Sequence, residues 1–128
     1  MVIHAIKWTD EMAVGVPALD EDHRKLVALM NKVIAACYAG VGKAMVNKAM
    51  DELDAYTKEH FSREEALIEA KNDPNLGAHK RQHQELIAEL ESLRANLHGT
   101  EIIPVLYRWL IVHIMETDKG YSHLFKDA

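Results

Sequence analysis

Histidines and carboxylates recur in this chain at spacings that can hold a metal ion. The segment "HKRQH" sets His79 and His83 at i and i+4, one helical turn apart, where two imidazoles reach a common ion. "HFSREE" sets His60 and Glu64 at the same spacing, His23 closes "DEDH", and His113 stands in "WLIVHIMETD". Imidazole nitrogen and carboxylate oxygen are ligands for first-row transition metals, so the chemistry on offer is metal coordination. Singly, each signal is weak, because a lone histidine on an apolar stripe is more often a hydrogen-bonded core residue than a ligand. Together they gain force only if one fold turns them all inward.

The elements that must do so are legible from the apolar period. Residues 1–18 carry Trp8, Gly15 and Pro17 without helical repeat and are expected to form an extended arm anchored by Trp8 and Val16. Asp20 can cap a first helix running to about Tyr38, where "AGVG" stops it. A second helix spans about Lys43 to Lys71 and ends at "NDPN"; a third spans about Leu76 to Leu97. A fourth begins near Thr100 or Pro104, a proline tolerated in a first turn, and ends at Gly120 before a short tail. The expected fold is all-α, an antiparallel up-down four-helix bundle, with 1–128 as one domain and the bundle over about 19–121.

On this frame the polar residues fall inside the stripes. At about 100° per residue, Leu26, Val27, Met30, Val33, Ile34 and Cys37 share the face of His23. In the second helix, whose stripe runs through Val46, Ala49, Leu53, Tyr56 and Leu67, His60 and Glu64 each sit about 20° from Leu53, whereas Glu59, Glu65 and Glu69 are at least about 80° away. Glu64 is therefore misplaced for an ordinary amphipathic helix, since a buried carboxylate is costly unless a cation or donors offset it. His79 and His83 align with Leu76 and Leu90, and His113 with Leu106 near Trp109. Met30, Met45, Met50, Leu67 and Leu90 are expected in the core, and His4, His98 and His123 at the surface.

Composition removes other classes. With Cys37 alone, an internal disulfide and cysteine-based zinc or iron–sulfur sites are excluded. The net charge of −5 with dispersed basic residues lacks the footprint of a nucleic-acid binder. No apolar run approaches the roughly 20 residues of a membrane span, and "MVIHAIKWTD" does not resemble a secretory signal, so a cytoplasmic chain that does not engage membranes is expected.

The set "DEDH", "HFSREE", "HKRQH" and "WLIVHIMETD" resembles the hemerythrin family, specifically its single-domain bacterial members, from "KWTDEMAVGV" to about Tyr121. The resemblance implies metal ligands at His23, His60, Glu64, His79, His83, His113 and Asp118. His79, His83 and His113 would hold one iron and His23 and His60 the other, with Glu64, Asp118 and an oxo or hydroxo group bridging the two. It further implies a pocket walled by Leu26, Phe61, Trp109, Leu110 and Ile114, whose plain core role periodicity also allows. Asp118 is implied by resemblance alone: five residues after His113 it lies about 140° around a regular helix, where Glu116 or Thr117 would be the geometric choice. The helix is therefore expected to bend or loosen past Met115.

Such a ligand set leaves one coordination position open on the iron of His23 and His60, and an open position separates a reactive site from a structural one. The resemblance thus implies reversible dioxygen binding by a carrier, store or local sensor rather than an enzyme. Nitric oxide, peroxide and small anions such as azide are further candidates for that position. The rivals are a diiron oxidase, peroxidase or nitric oxide reductase, a weak side activity of the first two kinds, and an iron reservoir. A monomer is the simplest expectation for the oligomeric state.

Overall fold

The computed structural model describes residues 5–40, 42–121 and 123, the side chains of His113 and Tyr121 excepted. After a short 3-10 turn at Asp10–Met12 come α1 (Pro17–Ala39), α2 (Lys43–Ala70) and α3 (Leu76–Asn96). A second 3-10 turn, Gly99–Glu101, leads into α4 (Ile102–Arg108), which passes through π-helical turns at Trp109–Met115 into α5 (Glu116–Tyr121). These last three stretches form the fourth rod of a four-helix bundle. Neighbours pack in chain order, α1 on α2, α2 on α3 and α3 on the fourth rod, which closes against α1. Short connections between long amphipathic helices make that arrangement the simplest way to bury every stripe.

The helix limits follow from local chemistry. α1 begins at Pro17, three residues before the expected Asp20 cap, because a proline ring is already set for the first turn and needs no N–H partner there. Asp20 instead accepts the Val14 N–H at 2.7 Å and ties the arm to the first turn. Gly40, at φ 63°, ends α1 in the left-handed conformation that a side chain disfavours. The fourth rod runs through Gly120 to Tyr121, one residue beyond the expected stop.

The main core joins Leu26, Met30, Val33 and Ile34 of α1 to Met50, Leu53 and Phe61 of α2, Leu86 and Leu90 of α3, and Leu106, Trp109, Leu110 and Ile114 of the fourth rod. Trp109, the largest fully buried side chain, satisfies its indole N–H on the Leu86 carbonyl at 2.8 Å. A smaller cluster of Val14, Val16, Leu19 and Ile68 seals the end where the arm crosses. Val16 is thus buried as expected, while Trp8 is half-buried with the Arg24 guanidinium 4.9 Å from its ring centre.

Two expected core positions are overturned. Leu67 is 37% exposed and Met45 is 51% exposed. In α2 the inward line runs through Val46, Met50, Leu53, Thr57, His60, Glu64 and Ile68, so Ile68 takes the place expected for Leu67. Over a helix this long the 3.6-residue repeat drifts relative to any fixed stripe, and the residue one step on turns inward. His98 and His123 are exposed as expected, and His4 lies outside the described residues.

Candidate metal centre

Polar side chains from α1, α2, α3 and α5 meet inside the bundle. His23 of α1, His60 and Glu64 of α2, His83 of α3 and Asp118 of α5 are all buried. Nε2 of His23 lies 2.5 Å from Oδ2 of Asp118, and Nε2 of His60 lies 2.9 Å from the same oxygen. Nε2 of His83 is 2.8 Å from Oε1 of Glu64, and Nε2 of His60 is 3.5 Å from its Oε2. The ligand-type atoms form two groups, one of His23, His60 and Asp118 and one of Glu64, His83 and Asp118, each spanning no more than 4.8 Å. Asp118 belongs to both.

Each inward imidazole nitrogen of His60 and His83 is backed by an outward one held on a second carboxylate. Asp22 Oδ2 accepts from Nδ1 of His60 at 2.8 Å, and Glu65 Oε2 from Nδ1 of His83 at 2.8 Å. A carboxylate on the far nitrogen sets the tautomer that leaves Nε2 free for a metal, the usual support of metal-binding histidines. Phe61 stacks flat on His83 with ring centres 4.0 Å apart, and His23 meets His60 edge-on at 5.1 Å.

The charges of the metal-free site follow from this geometry. Burial alone would depress the His60 pKa, but its bonds to Asp118 and Asp22 and the charges of Asp118 and Glu64 push it up to about 10. Burial would raise Asp118 and Asp22, yet bonds from His23 and His60 to the first, and from His60, Arg63 and Tyr56 to the second, hold both carboxyls well below the usual range. Burial lowers His83, with Glu65 partly offsetting it. Without metal, two imidazoles must therefore both present protons to one oxygen of Asp118. A cation bound between the same nitrogens and oxygens replaces those protons, so the donor set fits a metal.

The position of Asp118 has a backbone cause. In the π-helical stretch Trp109–Met115 hydrogen bonds reach one residue further than in an α-helix, which slows the rotation of the chain about its axis. Asp118, only 1% exposed, is thereby delivered to the interior that a regular helix would deny it. The loosening lies before Met115 rather than past it.

The other expected ligands are placed differently. His79 is half-buried, with Nε2 3.0 Å from Oδ2 of Asp73, on the wall of a polar cleft of about 350 Å³ shared with Gln82, Glu116 and Thr117. It is in neither ligand group. His113 lies within the π-helical stretch, and its side chain is outside the described residues. Leu26, Phe61, Trp109, Leu110 and Ile114 are all buried in the main core.

Asp22 and Glu65 escaped the sequence analysis. Both border a stripe rather than lie on it, Glu65 being one of the glutamates excluded by angle. The available signal was adjacency, since each is the chain neighbour of a candidate ligand.

The sequence profile of the hemerythrin HHE cation binding domain matches residues 14–124. The chain is 32% identical over 124 residues to the bacteriohemerythrin of Stenotrophomonas maltophilia (strain R551-3), covering 93% of this chain and 80% of that protein. It is 29% identical to the bacteriohemerythrin of Clostridium acetobutylicum (strain ATCC 824), covering 89% and 96%. A crystal structure of a hemerythrin point mutant superposes with a TM-score of 0.83 at 22% identity, over 97% of this chain and 99% of the other, and shares its fold. Among the described residues, no helix is long and apolar enough to cross a membrane.

Proposed function

The chain belongs to the hemerythrin family, and from that premise we propose that it binds dioxygen reversibly at a pair of iron ions, as a carrier, store or local sensor rather than as an enzyme. In this reading the whole chain acts as one hemerythrin-like domain. His23 and His60 hold one ion and His79, His83 and His113 the other, while Glu64 and Asp118 join them. The observation that carries the reading is the membership of Asp118 in both ligand groups, which is what a bridging carboxylate requires. When bound, the iron pair supplies two one-electron reductants and an open position for a small ligand.

The chain's own residues do the rest. Asp22 and Glu65 keep Nε2 of His60 and His83 directed inward. Glu64 and Asp118 bring two negative charges that offset the metal charge inside a low-dielectric core. Leu26, Phe61, Trp109, Leu110 and Ile114 keep bulk water from the site, and water exclusion is what lets a bound gas leave unchanged. Coordination through Nε2 of His79 requires exchange of its bond to Asp73.

Elemental analysis combined with visible absorption tests the proposal. Reduced, iron-loaded protein is expected to gain a charge-transfer band in air and lose it under inert gas. Immediate and irreversible oxidation would instead assign the pocket to an oxidase or peroxidase.

A further inference from the structure

We infer that Arg63 and Tyr56 are positioning residues of this centre, clamping the Asp22 carboxylate so that it fixes the ring of His60. The inference rests on the reading that His60 binds metal. Tyr56, His60 and Arg63 stand at i, i+4 and i+7 of α2, on the flank that faces Asp22 of α1. Both oxygens of Asp22 are doubly used. Oδ1 accepts from the Tyr56 hydroxyl at 2.9 Å and from Arg63 Nη2 at 2.7 Å, while Oδ2 accepts from Arg63 Nε at 3.1 Å and from His60 Nδ1 at 2.8 Å.

Two guanidinium nitrogens on the two oxygens of one carboxylate fix its plane as well as its position. The Arg63 plane is itself held, its Cζ standing 5.2 Å from the centre of the Tyr56 ring. The side chain of Arg63 is 46% exposed, whereas that of Asp22 is 8% exposed. The arginine end of the pair is open to solvent, which limits what it adds to fold stability, and the chief consequence of the two-point contact is orientation. Oδ2 of Asp22 points along the His60 ring, and the opposite nitrogen is thereby directed at Asp118. His83 has the simpler arrangement, with Glu65 on its outer nitrogen. The two halves of the centre are supported unequally, and the half of His60 depends on a surface arginine.

The test uses the full chain with zinc(II) as a redox-inert, diamagnetic probe and ¹⁵N-labelled histidine. The unaltered chain is expected to bind two ions and to show a slowly exchanging proton on Nδ1 of His60. Arg63→Gln should lower the metal-free melting temperature only modestly, weaken zinc binding roughly tenfold and hasten exchange of that proton. Arg63→Lys, which keeps the charge without the planar fork, should restore only part of both. Tyr56→Phe removes one oxygen, and reads out the same proton if Arg63→Gln does not fold. Two ions bound by Arg63→Gln with unchanged affinity and an unchanged His60 proton would overturn the inference, as would full restoration by lysine. Failure of the unaltered chain to bind zinc or iron would instead overturn the metal reading itself.

Discussion

Oδ2 of Asp118 and Nε2 of His23 stand 2.5 Å apart, joining positions 95 residues distant in the chain and closing the fourth rod onto the first. The contact depends on the register of one helix. The π-helical turns at Trp109–Met115 accommodate an extra residue relative to an α-helix, and all that follows is rotated accordingly.

Deleting Thr117, which follows those turns and directly precedes Asp118, should leave the turns in place and swing Asp118 about 100° out of the site. Circular dichroism is expected to show unchanged helicity, while iron per chain falls from two to one or fewer. A deletion variant retaining two irons would show that Asp118 does not depend on the register that the wide turns set.

The same helix marks the limit of what was legible in the sequence. Periodicity located all four rods, the buried His23, His60 and His83, and the misplacement of Glu64, because a buried polar residue on an apolar stripe is visible as an exception to the pattern; His79, expected on the same stripe as His83, is only half-buried. Asp118 was reached by resemblance only, since an angle of 100° per residue assumes the α-helical register that the fourth rod abandons. The meeting of Asp22, Arg63 and Tyr56 is hidden in the sequence for another reason. They meet across two helices at the edge of the stripes, and the relative rotation of two helices is absent from the period of either. Leu67 and Ile68 exchanged roles through the accumulated drift of a long helix.

The charge state of His60 predicts opposite pH trends for the metal-free and metal-bound forms. Its pKa is raised from an ordinary 6.5 to about 10, so its contribution to metal-free stability is complete below about 6.5 and is lost as pH rises toward 10. Asp22 and Asp118 are depressed, so their contribution is present above about 3.8 and is lost only as pH falls below that value. The metal-free melting temperature should therefore decline from about pH 7 to about pH 9. Metal displaces the Nε2 proton, so metal affinity should rise over the same interval. Calorimetric melting of both forms would show their difference widening with pH, and titration in weak buffer should detect a proton released on metal uptake. Parallel curves would mean that His60 carries no proton for the metal to displace.

Leu110 is fully buried beside Trp109 in the main core and is one of the proposed pocket-wall residues. Leu110→Ala should cost about 2–5 kcal/mol of stability, through lost burial and a residual cavity. It should also speed autoxidation of the oxygenated protein by admitting water. The two effects separate by comparison with Leu53→Ala, an equally buried substitution not assigned to the wall. Equal oxidation half-lives in the two variants would remove Leu110 from the wall.

Glu64 provides the most direct test of the shared centre. Its carboxylate is fully buried, 2.8 Å from Nε2 of His83 in its own ligand group and 3.5 Å from Nε2 of His60 in the other. Replacing Glu64 alone takes the carboxylate away from His83 and His60 and leaves both imidazoles buried without it, and breaking a buried ionic contact from one side is destabilising. Glu64→Leu should thus lower the metal-free melting temperature while leaving the bundle folded. Binding should fail nonetheless, because His60 and His83 then lose the carboxylate that joins them. Iron analysis is expected to give at most one ion per chain and no charge-transfer band in air. A Glu64→Leu protein that still holds two irons would show that Asp118 alone suffices to join the ions, and the bridging role of Glu64 would have to be abandoned.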